Sequence, residues 1–315
     1  TLVPAPGGPA RPARPATAPL AAPVAAAPSS SLSSLLPSLL SSLLSSLLLP
    51  LPGIGAGVAA NTAVYILGNR VLLKGLAWDG YASSYVLGCL SYAAFGLYGY
   101  LIVCIYFLIG SSVTKLKMDV KVREGTAEAR GGRRGFGSVL GSGVAGMACA
   151  VAALVLVGAP GATGGTPGMA GQVGPLSDTL FDTLRVGFVA SFCSKLSDTV
   201  SSEMGKAYGK TTYLATSFQK VPRGTEGAVS LEGTVAGVVA SVVLGVCALA
   251  GRMVDMRGLV CVIGSSVVAN CAESLLGAAV QRGGHVRWLT NDVVNMLQIS
   301  LASAVAMACY VVFNV

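Results

Sequence analysis

Carboxylates within apolar stretches are the first residues of this sequence that could take part in chemistry. Asp198 and Glu273 lie in segments built otherwise from apolar and small residues, and Lys195 precedes Asp198 by three positions. Residues three apart meet on one face of a helix, so Lys195 and Asp198 can pair. Because a carboxylate without a partner is costly in lipid, we expect Asp198 and Glu273 to have a function.

Other polar residues recur at helical spacing in the same kind of stretch. They are Ser191, Ser194, Lys195, Asp198 and Ser202 in one, Asn270, Glu273, Ser274 and Gln281 in a second, Asn291, Asn295 and Gln298 in a third, and Asn61 and Asn69 in a fourth. Asn and Gln in membrane helices often only join neighbouring helices, and that interpretation stays open. Glu203 follows Asp198 by five positions, which takes it off the face of Asp198 if the helix is regular.

Two loops rich in glycine and basic residues supply a second signal. Residues 110–135 contain GSSVTKLK and EARGGRRG, and residues 220–233 read KVPRGTEGAVSLEG. Glycine-rich backbone exposes N–H groups to phosphate oxygens, and Lys and Arg neutralise their charge. Nearby carboxylates could hold Mg²⁺, which needs only one or two protein oxygens beside those of phosphates. These features favour phosphoryl chemistry on a membrane-bound substrate, although membrane topology alone also explains basic loops.

Membrane-spanning helices must position these residues. Apolar types make up 53% of the 315 residues and charged types 11%, against about 25% charged residues in soluble domains. This composition excludes soluble enzymes, disulfide scaffolds and nucleic-acid modules, and we expect no nucleic-acid partner. We predict an all-α, polytopic transmembrane helical bundle of about six or seven spans. The spans are 54–73, 84–109, 137–158, 180–200, 229–250, 258–280 and 292–313.

Basic residues predict the orientation of this bundle. The net charge is +8, and the loops at 110–137, 201–228 and 281–291 are richer in Lys and Arg than the loops between them. Seven spans place these three loops on one face of the membrane, together with the N-terminus.

The first 53 residues differ from the rest of the chain. They contain mainly Ala, Pro, Ser and Leu, with two arginines and no acidic residue. This composition is typical of an organellar transit peptide, and we expect it to be largely disordered. The sequence therefore predicts a leader over 1–53 and a single transmembrane catalytic domain over 54–315.

Several common sites are disfavoured by spacing. Eight cysteines form no CxxC pair, so we expect small buried hydrophobes rather than zinc ligands. His285 is the one histidine, so no histidine-based triad or metal cluster can be assembled. The stretch GKAYGKT (205–211) has one residue too few for a nucleotide-binding P-loop.

Five stretches carry a resemblance to a known family. They are GSSVTKLKMDVKVREGTAEARGGRRG, SKLSDTVSSEMGK, VPRGTEGAVSLEGT, VVANCAESLLGAAVQ and WLTNDVVNMLQIS. The sequence over 54–315 resembles one integral-membrane family whose plant and algal members include the chloroplast phytyl-phosphate kinase of vitamin E synthesis. The family often has Asn where this chain has Ser142, and Asp where it has Glu273.

The resemblance implies a reaction and a location. A nucleoside triphosphate would phosphorylate phytyl phosphate to phytyl diphosphate, so that phytol salvaged from chlorophyll feeds tocopherol and phylloquinone synthesis. The location would be the chloroplast envelope or thylakoid membrane. The expected partners are membrane lipid, phytyl phosphate and the nucleotide; the oligomeric state stays open.

Each candidate residue is assigned a role in this reaction. We expect Asp198 and Glu203 to hold Mg²⁺ on the nucleotide phosphates, and Glu273 with Asn270 to bind a second metal or orient Asp198. The residues expected to contact the phosphates are Lys115, Arg133, Arg134, Lys220, Arg223, Gly224, Thr225 and Gly227. The expected catalytic set is Asp198, Glu203, Lys115 and Arg223. The acceptor is a phosphate monoester, largely dianionic at neutral pH, and needs no general base.

Three other functions compete with this one. Intramembrane carboxylates also occur in transporters, which place them near mid-membrane with access from both faces. A non-catalytic subunit would use the small-residue spans for packing and the basic loops for lipid contact. A kinase of another prenyl or prenyl-phosphate substrate would keep the same loops.

Overall fold

The computed structural model describes residues 1–2, 53–157, 175–281 and 290–314. Over 53–314 these ranges form a helical bundle with a small sheet at one end. The helices are α1 (Ile54–Leu67), α2 (Asn69–Gly75), α3 (Trp78–Thr114), α4 (Met118–Arg123), α5 (Phe136–Ala152), α6 (Pro175–Tyr208), α7 (Leu231–Ala250), α8 (Met256–Leu276) and α9 (Asn291–Asn314). The strands are β1 (Thr212–Leu214), β2 (Lys220–Val221) and β3 (Ala228–Ser230). A 3₁₀ turn covers Ala129–Gly132, and π-helical turns cover Ala153–Val157 and Gly277–Gln281.

Five of these helices, α3, α5, α7, α8 and α9, are long and apolar enough to cross a membrane. The predicted transmembrane bundle is confirmed. Helix α6 is too rich in charged residues to count among them, yet its middle section is buried, with Phe188, Phe192 and Leu196 fully inaccessible. Because α6 contacts protein rather than lipid, it can carry polar side chains that a peripheral helix could not.

The longest helix, α3, is a hairpin. A straight helix of its 37 residues would extend about 55 Å. At Gly96 the backbone has φ 63° and ψ −158°, a conformation that glycine adopts readily, and the chain reverses there. Gly80 packs on the carbonyl of Arg134 and Gly110 on its guanidinium, although they lie near opposite ends of α3. The predicted span 84–109 therefore crosses the bundle twice.

This hairpin changes the predicted topology. Helix α1 packs antiparallel to the first arm of α3, because Gly57 lies against the Cys89 carbonyl and the hydroxyls of Tyr65 and Ser84 are 2.6 Å apart. The start of α1 therefore points to the end of the bundle opposite the basic loops. The predicted position of the N-terminus on the basic face stays a prediction, because residues 3–52 lie outside the described residues.

The first predicted span, 54–73, is also interrupted. Gly68 ends α1 after 14 residues, about 21 Å, which is less than the roughly 30 Å of a hydrocarbon core. Polar contacts attach this short helix to α3. Asn61 is fully buried, donates to the Tyr85 carbonyl at 2.8 Å and accepts from the Tyr100 hydroxyl at 2.8 Å. Here the interpretation of a polar residue as a contact between helices is confirmed.

The basic loops meet at one end of the bundle, which we call the loop end. Arg223, before β3, pairs with Glu124, after α4. Lys206, in the last turns of α6, pairs with Glu128. The predicted placement of the first two basic loops on one face is confirmed. Of the third loop, residues 282–289 lie outside the described residues.

Strands β1 and β2 lie within the predicted loop 201–228, and β3 runs from its last residue to Ser230. Its order is β2-β1-β3, and both pairs are antiparallel. The all-α prediction omitted it because strands of two or three residues carry no periodic pattern. The sheet leads directly into α7, where the Ser230 hydroxyl caps the helix by accepting from the Gly233 N–H at 3.1 Å.

Candidate functional site

Asp198 lies in a buried polar cluster on α6. Its Oδ2 is 2.5 Å from Lys195 Nζ, one helical turn away, so the predicted pair is confirmed. Lys195 also donates to Asn295 Oδ1 on α9 at 2.8 Å. Asp198 Oδ1 makes no hydrogen bond with the described residues. The pair is thus anchored on one side and leaves one carboxylate oxygen available.

Helices α8 and α9 complete this polar cluster. Asn270 Nδ2 donates to Ser197 Oγ at 2.7 Å, and Gln298 Nε2 donates to Asn270 Oδ1 at 2.6 Å. These contacts join three helices, as expected for polar residues in membrane spans. In the described part of the chain, Ser194 Oγ and Gln298 Oε1 are buried without a hydrogen-bond partner. Free oxygens therefore lie around the cluster.

Glu273 is the second carboxylate of the polar cluster. It lies one turn beyond Asn270, and the charges of Asp198, Lys195 and Glu226 act on it. Its hydrogen bond within the described residues comes from the Ser274 hydroxyl at 3.4 Å. Lys195 pairs with Asp198, and Glu273 forms no ion pair within the described residues, so a further cation near the two carboxylates would stabilise them.

Glu203 belongs to a different group, which we call the lysine clamp: Glu203, Lys121, Lys206 and Glu128. Lys121, fully buried in α4, donates to Glu203 Oε2 and to the Thr114 carbonyl. Lys206 lies 3.3 Å from Glu203 Oε1 and 2.8 Å from Glu128 Oε1. Both oxygens of Glu203 are thus engaged by lysines.

The predicted metal set of Asp198, Glu203 and Glu273 is not assembled. Among the described residues, no three His, Cys, Asp or Glu side chains are grouped so that they could hold a metal ion. The reason is the regularity of α6, since five residues turn a helix by about 140°. Asp198 and Glu203 consequently diverge, and only Asp198 stays with Glu273.

Glu128 connects the lysine clamp to the polar cluster electrostatically. Partial burial by itself would raise the pKa of Glu128, but Lys206 and, more weakly, Lys195 hold the pKa below its ordinary value. Lys195 of the polar cluster thus acts, though weakly, on a residue at the loop end. Sequence reasoning missed Lys121 and Glu128, because burial of single residues in a charged loop leaves no pattern.

The predicted phosphate-binding residues near α2 and α5 differ in their contacts. Lys115 Nζ donates to the Lys74 carbonyl at 3.0 Å, and Arg133 is exposed, its side chain making no hydrogen bond or ion pair within the described ranges. Arg134 donates to the Tyr106 hydroxyl and lies 4.9 Å from the centre of the Tyr106 ring.

Lys220 and Arg223 contribute to an open pocket of about 390 Å³ on the sheet. Its lining consists of Lys210, Thr211, Thr212, Lys220, Val221, Pro222 and Arg223. Arg223 is paired with Glu124, whereas Lys210 and Lys220 are exposed. Three cations around one open pocket form a favourable place for a polyanion.

The glycines of the 222–227 turn have a packing role. Gly224 and Gly227 have φ values of 81° and 68°, which disfavour a side chain. Gly224 packs on Thr126 and Gly227 on the backbone of Ala278, so the turn wedges between the α4 loop and the end of α8. Thr225 Oγ1 donates to the Pro222 carbonyl at 2.8 Å. Contact of these residues with phosphate stays a prediction.

The cysteines are free, and three of them, Cys149, Cys193 and Cys261, are buried. Cys271 is exposed on the outer side of α8, so the expectation of burial is wrong for it. A cysteine side chain behaves as a small hydrophobe, so apolar lipid is as favourable an environment for it as an apolar protein core. His285 lies outside the described residues.

The donor set of the polar cluster fits a hydrated Mg²⁺ rather than an all-protein metal site. Asp198 Oδ1 and the Glu273 carboxylate are available, and the orphaned oxygens of Ser194 and Gln298 can bond to water. Mg²⁺ commonly takes one or two carboxylates and completes its shell with water and phosphate oxygens. Glu203 is not available to such an ion, because Lys121 and Lys206 contact its two carboxylate oxygens.

Comparison with known proteins identifies related sequences. A family model described as integral membrane protein DUF92 matches residues 61–303. The chain is 48% identical over 252 residues to Protein VTE6, chloroplastic, of Arabidopsis thaliana, which covers 80% of this chain and 70% of that protein. It is 41% identical to an uncharacterized membrane protein of Synechocystis sp., covering 72% and 80% respectively.

A more distant relative is Protein PGR of Arabidopsis thaliana, 26% identical over 67% of this chain and 74% of that protein. No solved structure matches the chain significantly. The resemblance inferred from the loop motifs is confirmed. The prediction of an integral membrane protein of the chloroplast is confirmed as well, through the chloroplastic relative and the five apolar helices.

Proposed function

This chain belongs to the DUF92 family of integral membrane proteins, and on that premise we propose that it is a kinase of phytyl phosphate. It transfers a phosphoryl group from a nucleoside triphosphate and produces phytyl diphosphate, for tocopherol or phylloquinone synthesis from salvaged phytol. The observation that carries the proposal is the polar cluster, in which Asp198 and Glu273 keep available oxygens close to the loop end.

Charge compensation is the main task of the protein in this reaction. Two anionic substrates must approach each other, so cations have to offset their repulsion. Lys220 and Arg223 line the open pocket and neutralise the nucleotide phosphates, while Arg134 faces the acceptor. Bound Mg²⁺ would supply further neutralisation of the phosphate oxygens, with Asp198 and Glu273 as the residues that hold it.

Lys195 has a positioning role in this scheme. It fixes Asp198 in one rotamer and is itself fixed by Asn295. The acceptor phosphate is largely dianionic, since its second pKa is near 6. No side chain has to remove a proton from it, and catalysis consists of positioning and charge stabilisation.

A transporter remains the second candidate because Lys195 and Asp198 form a buried charge pair inside the bundle. Transport requires access from both ends. Asp198 lies 10 residues before the end of α6 at the loop end and 23 residues after its start at Pro175. At that other end Asp182 pairs with Arg185. The position of Asp198 nearer one end supports an enzyme.

An assay in liposomes tests the proposal. Purified protein would receive Mg²⁺, phytyl phosphate and each common nucleoside triphosphate separately, and product would be measured by mass spectrometry. We expect phytyl diphosphate with at least one nucleotide, and none from Asp198→Asn. Asp182→Asn is the matched control, because it makes the same change on α6 at the opposite end and should retain activity. Absence of product from folded protein would overturn the proposal.

A further inference from the structure

An apolar slot lies between α1, α2, the α3 hairpin and α5. It has a volume of about 80 Å³. Its apolar lining includes Leu72, Leu76, Leu87, Val103, Phe107 and Val139. Asn61 and Tyr100 also line it and are hydrogen-bonded to each other. The slot thus follows the interior of the hairpin.

Arg134 lines the same slot near the loop end. Its backbone is fixed to the end of α2 by hydrogen bonds with Gly75 and Ala77, each 2.9 Å long. Its guanidinium therefore lies where the slot meets the loops. The slot combines an apolar wall with a cation at its loop end.

The charge of Arg134 has no counter-ion in the described structure. All 13 acidic residues of the chain lie in the described ranges, and none of them forms an ion pair with Arg134. Arg130 pairs with Asp79 and Arg223 with Glu124, while Arg133 is exposed and needs no partner. Within the described residues, the partly buried guanidinium donates to the Tyr106 hydroxyl and packs on Gly110, and neither carries a charge. An uncompensated charge there is costly, and an anion would offset that cost.

We propose that the slot binds the first isoprene unit of a prenyl phosphate whose phosphate lies at Arg134. The inference rests on the proposed function and adds the location and orientation of the acceptor. A volume of 80 Å³ holds roughly five water-sized groups, about one isoprene unit. The remaining chain has to leave the slot sideways.

The sideways exit would pass helix α1, which lines the slot through Asn61, Val64 and Tyr65. This helix is too short to cover the full depth of the bilayer, and its outer residues Ile66 and Leu67 are 72% and 88% exposed. A C20 chain can lie along this surface among the lipids while its phosphate stays at the loop end. The substrate thus enters from the membrane and never has to leave it.

Photoaffinity labelling tests the location. The full chain in liposomes would be irradiated with a geranylgeranyl phosphate that carries a diazirine on its first isoprene unit. We expect labelled peptides from α1, α3 and α5, and protection by phytyl phosphate but not by phytol or phosphatidic acid. Labelling elsewhere overturns the slot, and stronger protection by phosphatidic acid shows that a diacyl lipid occupies it instead.

Two matched variants sharpen the test. Val103→Phe fills the slot and should reduce labelling at least tenfold, while Val86→Phe makes the same change on an exposed face of α3 and should leave it unchanged. Arg134→Gln should weaken protection by phytyl phosphate roughly tenfold to a hundredfold, the effect of losing a charged hydrogen bond. Equal labelling of both Val variants contradicts the inference.

The labelling result is independent of the kinase assay. Slot labelling without phosphoryl transfer from any nucleotide would reject the proposed function and keep the binding site. Phosphoryl transfer with labelling outside the slot would keep the function and reject the site. Size-exclusion profiles identify any variant that has failed to fold, and the Val86→Phe protein gives the reference profile.

Discussion

Two ion pairs on α6 have similar chemistry and different surroundings. In the lysine clamp, Lys121 and Glu203 are 0% and 3% exposed, and both oxygens of Glu203 contact lysines. In the polar cluster, Asp198 contacts one lysine, keeps one oxygen available and lies near a second carboxylate. The clamp is saturated and joins loops to α6, whereas the polar cluster has capacity for a ligand. On the proposed function, this difference separates a structural carboxylate, Glu203, from a functional one, Asp198, although the sequence motif contains both.

The largest expected effect is on turnover, and it should distinguish Asp198 from Glu203. Asp198→Asn should abolish measurable turnover, a loss of at least about 10²–10³-fold, because it removes a carboxylate that would hold Mg²⁺ on the phosphates. Glu203→Gln should reduce turnover per folded molecule much less. Initial rates of phytyl diphosphate formation, normalised to folded protein, measure both. Equal losses for the two variants would show that the clamp also belongs to the catalytic centre.

The next effect concerns stability. Lys121→Met leaves Glu203 buried beside Lys206 alone and should lower the free energy of unfolding by about 3–5 kcal/mol. Lys74→Met, on an exposed lysine at the same end, should change it by no more than about 0.5 kcal/mol. Unfolding in mixed micelles of detergent and sodium dodecyl sulfate measures the difference. A stable Lys121→Met protein would mean that the clamp does not hold α4 to α6.

A smaller loss of stability is expected for a substitution in the 222–227 turn, which packs against the end of α8. Gly227→Ala combines a φ of 68° with contact against the Ala278 backbone, and should cost about 1–3 kcal/mol. Gly264→Ala is its control on α8, because no atom lies within 4 Å of the added methyl group. The same unfolding assay applies. If Gly227→Ala is as stable as the control, the turn is not wedged in solution.

The smallest effect is a pH dependence. The pKa of Glu128 is lower in the folded protein than its ordinary 4.5. Its ionised carboxylate therefore raises the free energy of unfolding above pH 4.5, and this contribution is lost as pH falls through the pKa of the folded state. Glu128 is half exposed, so the contribution is about 0–1 kcal/mol. Unfolding curves between pH 6 and pH 3 should separate wild type from Glu128→Gln at the upper end only. A constant separation would exclude ionisation of Glu128 as the cause.

The apolar spans were the most predictable part of the molecule. The segments predicted at 229–250 and 292–313 are α7, Leu231–Ala250, and α9, Asn291–Asn314. Length and apolarity define such helices because lipid surrounds them. The hairpin was missed because Gly96 is one of 41 glycines, and nothing local distinguishes a reversal from close helix packing.

The sequence predicted several residues of the candidate site but not which of them lie together in space. The pair of Lys195 and Asp198 follows from helical spacing, and both residues are where the sequence predicts them. The structure places Glu203 with Lys121 and Lys206 rather than with Asp198, and these lysines lie on α4 and on the next turn of α6. Contacts between distant segments decide which carboxylate is saturated, and a single sequence does not contain them.

Transfer of labelled phosphate tests the central claim most directly. Protein in liposomes would receive Mg²⁺, phytyl phosphate and the accepted nucleotide labelled at its γ-phosphorus, and the lipid products would be separated. The account predicts label in the terminal phosphate of phytyl diphosphate, formed by wild type and Glu203→Gln but not by Asp198→Asn. Movement of unchanged phytyl phosphate across the bilayer, with no label in any lipid, would contradict it and favour a transporter.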